Sequence, residues 1–75
     1  MIINNIAIGY ERKENVIVMK VIDLNNTKYK AHFVLNTMGD FELRASTFSE
    51  GKRKYEMLYY VEKNKQDLIE GYENA

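Results

Sequence analysis

The sequence predicts an α+β fold, in which a four-stranded antiparallel β-meander is followed by one long C-terminal α-helix packed on one sheet face. Up to residue 46, apolar and polar side chains alternate in short runs separated by polar or glycine-containing turns, as in β-strands. After residue 46, apolar residues recur every three or four positions without proline, as in an amphipathic helix. We therefore expect one domain over residues 1–75, with the sheet in 1–46, the helix in 47–71 and a tail in 72–75.

Length and composition restrict the function classes. The 75 residues suffice for one small domain, and 11 Lys+Arg balance 11 Asp+Glu. Cysteine is absent, and the lone His32 excludes a site with two imidazoles, so no disulfide, metal or cofactor is expected. No apolar run approaches the roughly 20 residues of a membrane span, and the first residues lack a basic segment. The sequence therefore predicts a soluble, cytoplasmic protein without a membrane partner.

Four strands are predicted over residues 2–10, 16–24, 27–36 and 40–46. The third alternates most clearly and, with the fourth, defines a face for the helix. That face consists of Tyr29, Ala31, Phe33, Leu35, Phe41, Leu43 and Ala45. The opposite side of the third strand consists of Lys28, Lys30 and His32.

The second strand is apolar on both sides. One side consists of Val16, Val18, Ile22 and Leu24, and the other of Ile17, Met19 and Val21. A strand that is apolar on both faces is usually buried on both faces, and one helix covers only one. Two alternatives follow: the second face meets a partner protein or a second copy of the chain, or it is the ordinary exposed apolar surface of a small domain.

The helix is predicted from about residue 48 to 70. Residues 47–50 fit a capping box that begins at Thr47, and Gly71 is placed to end the helix. The polar stretch 62–65 indicates either a bend or the end of a first helix. On a helical wheel, Tyr59 falls inside the apolar arc and Tyr60 outside it, so Tyr60 is predicted to be exposed beside Met57.

Residue patterns that carry enzyme chemistry are missing. His32, the one base with an ordinary pKa near neutrality, lies on the polar face of a strand among lysines. The four glycines are isolated and form no phosphate-binding loop, and no calcium-loop spacing of Asp and Asn occurs. We therefore expect a protein that is not an enzyme.

Protein binding fits the residue inventory best, because interfaces favour Tyr, Phe, Met and Arg with few charges at their centre, and this chain has six tyrosines. The predicted contact residues are Val16, Val18, Ile22, Lys52, Arg53, Met57 and Tyr60. The abundance of Asn, Ile, Lys and Tyr indicates an A/T-rich genome, such as that of a low-GC bacterium or its phages and mobile elements. By analogy with small accessory proteins such as anti-CRISPR proteins, the predicted partner is a host enzyme or defence complex.

DNA binding is the alternative. A sheet, the helix start at residues 47–50 and a following basic and aromatic run resemble AP2-type and integrase N-terminal DNA-binding domains over residues 16–60. That resemblance implies binding of duplex DNA through the sheet. The candidate residues are Lys28, Lys30, Arg44, Lys52 and Arg53. Those domains are strongly basic and rich in Arg and Trp, whereas this chain is neutral, which favours a protein partner over DNA.

Overall fold

The computed structural model describes residues 2–3, 5–47 and 51–75, and of residues 2, 3 and 53 the backbone alone. One antiparallel sheet has its strands in sequence order and is followed by two helices. The elements are β1 (Ile2–Ile3), β2 (Ile6–Lys13), β3 (Val16–Asp23), β4 (Lys30–Leu35), β5 (Phe41–Ser46), α1 (Lys52–Lys63) and α2 (Lys65–Glu73). The α+β fold with a β-meander is confirmed, whereas the single long helix is wrong because two helices take its place.

The first predicted strand is divided by a tight turn. Asn5 has φ 63°, a left-handed conformation that asparagine tolerates, and Ile3 pairs with Ile6 across the turn. Strand β2 then continues to Lys13, and a turn with Glu14 at φ 56° leads directly into β3. Residues 11–15, which separate the first two predicted strands, are therefore mostly strand, and residues 11–13 form the solvent-accessible end of β2.

A bulge changes the face of the last residues of β5. Phe33 pairs with Leu43 and His32 pairs with Ala45, so Arg44 is an extra residue on β5. The prediction that Ala45 lies on the same face as Leu43 is wrong for this reason. Ala45 is exposed beside His32 instead.

The helical segment is interrupted at Asn64, where φ is −103° and ψ is 19°. The Asn64 side-chain Nδ2 donates to the carbonyl of Tyr60 at 2.9 Å, and its backbone N–H donates to the same oxygen at 3.1 Å. A side chain that competes for a helical carbonyl in this way distorts the helix locally. Helix α2 then runs through Gly71, so the prediction that Gly71 ends the helix is wrong.

The helix also begins later than predicted, because Gly51 is the N-cap of α1. Thr47, the proposed cap, uses its hydroxyl to donate to the Lys28 carbonyl and to accept the Lys30 N–H at 3.0 Å. It therefore joins β5 to the start of β4. The other residues of the predicted capping box, 48–50, lie outside the described residues.

Both helices pack on one side of the sheet and form the core with it. Strand residues of the core are Ile8, Met19, Val21, Ala31 and Phe33, and helix residues are Met57, Tyr60, Val61 and Leu68. The members from β3 and β4 lie on the faces that the alternation predicted. An ion pair between Lys65 and Asp40 joins the beginning of α2 to the β4–β5 turn, and its hydrogen bond raises the pKa of Lys65.

The predicted exposure of the helical tyrosines is wrong. Tyr60 is 8% exposed and Met57 is 3% exposed, whereas Tyr55 and Tyr59 are 61% and 68% exposed. Met57, Tyr60 and Val61 follow the three- and four-residue spacing of one helix face. The predicted apolar arc included the exposed Tyr59, which placed the centre of the arc away from Tyr60.

Candidate functional site

The side of the sheet opposite the helices, here called the open face, is the candidate site. Its side chains alternate along each strand with those of the core. It consists of Ala7, Gly9, Glu11 and Lys13 of β2, Val16, Val18, Lys20 and Ile22 of β3, Lys30, His32 and Val34 of β4, and Glu42 and Ala45 of β5. None of the described elements packs against it.

An aliphatic stripe runs along β3 on the open face. Val18 and Ile22 are half-buried, and Val16 is 46% exposed at the beginning of the strand. Ile22 lies between Ala7 and Lys30 in the cross-strand register. Long lysine side chains cover apolar neighbours with their methylene groups while their charges remain in water, which explains the intermediate burial.

Basic groups adjoin this stripe. Lys20 lies directly opposite His32 on the next strand, and its ammonium pairs with Glu11 on the strand before. The Lys20 ammonium, which donates a hydrogen bond to Glu11, holds the pKa of that carboxyl below its ordinary value, and the charges of Lys13 and His32 lower it further. The open face therefore stabilises a carboxylate at this position.

The second carboxylate of the open face is also occupied. Glu42 pairs with Arg44 at 3.2 Å and accepts a hydrogen bond from Asn36 Nδ2 at 3.0 Å. Lys30 and His32, by contrast, form no ion pair with any residue in the described parts of the chain. They are the basic groups available to a ligand.

Two shallow depressions meet at Lys30 and His32. One, of about 320 Å³, is also lined by Lys20, Val21 and Ile22. The other, of about 140 Å³, is lined in addition by Ala45, Ser46 and Thr47. Both are open to solvent, so they suit side chains of a docked macromolecule better than an enclosed cofactor.

The structure brings together part of the predicted protein-binding set. Val16, Val18 and Ile22 lie together on the open face, as predicted. Met57 and Tyr60 lie in the core on the other side of the sheet and cannot contact a partner there. Lys52 is exposed at the first residue of α1, and the side chain of Arg53 lies outside the described structure.

The predicted DNA-binding residues are dispersed. Lys30 lies on the open face, Lys28 is exposed in the turn before β4, and Arg44 is the extra residue of the bulge. Lys52 lies on α1, on the other side of the sheet. They do not form one continuous surface.

Sequence reasoning missed the association of Lys20 with His32. The sequence shows that each of the two residues alternates with apolar neighbours on its own strand. It does not show that they lie opposite each other, because that depends on the β3–β4 register. It also missed Tyr55 and Tyr59, which are exposed one turn apart on α1. Their spacing of four residues was the available signal.

Comparison of this chain with known proteins does not indicate a function. No protein-family model, curated protein or solved structure matches this chain. The resemblance to AP2-type and integrase N-terminal domains therefore rests on element order and the quoted residues alone. Among the described residues, no group of His, Asp and Glu side chains could hold a metal ion, and no described helix has the length and apolarity to cross a membrane.

Proposed function

We propose that this chain is a non-enzymatic protein-binding module that contacts its partner through the open face. One observation carries the proposal: both helices pack on the same side of the sheet and leave the aliphatic stripe of β3 without a covering element among the described residues. An apolar centre surrounded by polar side chains is the usual composition of a protein interface.

The geometry of the stripe supports this role. Val16 and Val18 are successive side chains on the open face of β3, and Ile22 follows on the same face beyond Lys20. Single exposed aliphatic residues are normal on any protein, whereas contiguous patches are associated with interaction sites. Charged residues on both neighbouring strands provide the polar rim.

The composition supports a narrower form of the same proposal. A small, neutral chain with residues typical of A/T-rich genomes fits an accessory protein of a phage or mobile element. Such a protein would act by covering a surface of a host protein complex, which requires an interface and no catalytic group.

Duplex DNA is the second candidate, favoured by the basic groups Lys20, Lys30 and His32 on the open face. The remaining composition of that face favours protein. None of its members is phenylalanine, tyrosine or arginine, and the chain has no tryptophan, so the large aromatic rings on which bases stack and the bidentate guanidinium that reads guanine are missing there.

A capture experiment in extracts of the source organism tests the proposal. The chain is used as bait in three forms: unchanged, with Ile22→Glu on the open face, and with Tyr59→Glu on the exposed side of α1. We expect a protein to be captured by the unchanged chain and by Tyr59→Glu, and lost with Ile22→Glu. Circular dichroism establishes that both variants are folded.

Capture that survives Ile22→Glu but disappears with Tyr59→Glu would place the interface on α1 and contradict the proposal. A gel shift with duplex DNA over a salt series tests the second candidate. Tight binding that weakens steeply with salt would favour DNA. Sedimentation of the unchanged chain and of Ile22→Glu reveals whether a second copy occupies the open face.

A further inference from the structure

We infer that the open face recognises an acidic polypeptide segment, with Lys20, Lys30 and His32 facing its carboxylates and Ile22 contacting its apolar side chains. This inference rests on the proposed function and adds the chemistry of the partner.

The charges of the open face are unequal. Its basic members are Lys13, Lys20, Lys30 and His32, and its acidic members are Glu11 and Glu42. Both carboxylates already have partners, Glu11 with Lys20 and Glu42 with Arg44. Lys30 and His32 remain without an ion pair among the described residues, and they border both depressions. The open face therefore has more basic groups than carboxylates beside its aliphatic stripe.

Glu11 shows that this arrangement stabilises a carboxylate. Its side chain lies against Lys20, with Lys13 and His32 near enough to lower its pKa further. A carboxylate of a partner that reaches the same region would meet the same field, together with Lys30. Glu11 is then an internal competitor of the partner, because it occupies Lys20 in the free protein.

Other occupants fit less well. Two open faces paired about a twofold axis through the cluster of Lys20, Lys30 and His32 would place basic groups opposite basic groups. A second copy could instead offer the acidic residues of α2, Asp67, Glu70 and Glu73, but such a head-to-tail contact leaves one open face unfilled in a pair of copies, and only a ring or a filament would fill every open face. DNA would supply anions without the apolar groups that match the stripe of β3.

The test measures binding of a short peptide with the repeat Glu-Val-Glu-Gly and of its counterpart with glutamine in place of every glutamate. Amide chemical shifts of the folded chain report the site and the affinity. We expect the glutamate peptide to shift Lys20, Ile22, Lys30 and His32, and to bind more weakly as salt is raised. The glutamine peptide should bind at least about fivefold more weakly.

Two substitutions sharpen the test, with Lys63→Gln on α1 as the matched control. Lys30→Gln should weaken the glutamate peptide about two- to fivefold, whereas Lys63→Gln should leave it unchanged. Glu11→Gln should strengthen binding about two- to fivefold, since it releases Lys20. A role of Glu11 in folding alone would not produce tighter binding.

Equal affinity for the two peptides, or no response to Lys30→Gln and Glu11→Gln, would overturn the inference. Tighter binding of a short DNA duplex than of the glutamate peptide at the same salt concentration would also overturn it, in favour of DNA. These failures differ from failure of the proposed function, in which Ile22→Glu captures the same proteins as the unchanged chain.

Discussion

Two tyrosine hydroxyls lie inside the fold in opposite circumstances. The Tyr10 hydroxyl donates to the carbonyl of Leu68 at 2.8 Å, which fastens β2 to α2. The Tyr60 hydroxyl is buried without a hydrogen-bond partner among the residues that the structure describes. Burial raises the pKa of both phenols above the ordinary value, and repulsion from Tyr60 raises that of Tyr10 further.

Removal of each hydroxyl should therefore change stability in a different way. Tyr60→Phe should be neutral or stabilise the fold by up to about 1 kcal/mol, because it removes a buried polar group that gains nothing. Tyr10→Phe should destabilise it by about 1 kcal/mol through loss of the bond to Leu68. Urea unfolding measures both. A cost for Tyr60→Phe as large as that for Tyr10→Phe would show that the Tyr60 hydroxyl has an acceptor.

The same phenols predict the response to alkali. Tyrosines of the unfolded chain ionise near pH 10, whereas Tyr10 and Tyr60 ionise at higher pH in the folded protein. Their contribution to stability is therefore complete below about pH 10 and is lost as pH rises through the folded pKa values. Thermal unfolding at increasing pH should show this decline, which Tyr10→Phe with Tyr60→Phe should reduce. The exposed control Tyr59→Phe should leave it unchanged, and an equal effect of the control would contradict the assignment.

At the scale of elements, α2 is fixed to the sheet by close packing around Tyr10 and Tyr72. The two rings meet edge to face with centroids 6.2 Å apart, and Tyr72 meets Phe41 in the same way at 5.7 Å. The Tyr72 hydroxyl donates at 2.7 Å to the carbonyl of Ile17, which lies beyond the end of the β3–β4 pairing. The ring of Tyr10 leaves no room for a side chain at Gly71.

Gly71→Ala should therefore destabilise the fold. A Cβ at this position would lie 2.6 Å from the Tyr10 hydroxyl oxygen and 2.9 Å from a ring carbon, so α2 or Tyr10 must move. We expect a net cost of about 1–2 kcal/mol, although alanine favours helices by about 1 kcal/mol over glycine. Gly9→Ala on the open face, where no atom lies within 4 Å of the added carbon, is the control and should be neutral in urea unfolding. A stabilising Gly71→Ala would mean that α2 shifts freely.

The elements that periodicity determines were predictable, and the irregular ones were not. Alternation located β3 and β4 correctly, since their inner side chains form the core. The turn at Asn5, the bulge at Arg44 and the interruption at Asn64 are decided by backbone conformation and local hydrogen bonds. A repeating pattern of side chains does not predict these three irregularities. Gly71 resembled a helix terminator because glycine commonly ends helices. Its actual role, leaving space for the ring of Tyr10, depends on tertiary packing and is not visible in the sequence.

For the whole molecule, the decisive feature is that the sheet has one covered face and one open face. The open face followed from the sequence, because β3 is apolar on both sides and the helical residues suffice for one layer. The cluster of Lys20, Lys30 and His32 could not be predicted in this way, because its members come together only through the register of β3 and β4.

Substitutions on the two sides of β3 should therefore have unequal effects on folding. Val18→Lys on the open face should change the free energy of unfolding by about 1 kcal/mol or less. Val21→Lys, on the covered face and 1% exposed, should unfold the protein, because a single small core provides only about 3–5 kcal/mol. Circular dichroism with urea titration distinguishes them. Unfolding by Val18→Lys would show that the open face is needed for the fold itself.

The outer strands of the sheet differ from its centre in a way that bears on solubility. Strand β1 pairs with β2 only at Ile6 and Ala7, so residues 9–13 have no strand beside them on that side among the described residues. Glu11, Arg12 and Lys13 place charge there, and on the opposite edge the bulge at Arg44 distorts the backbone. Both features hinder growth of the sheet by addition of further chains. Charged edges and the bulge therefore disfavour fibril assembly although the open face carries exposed aliphatic side chains.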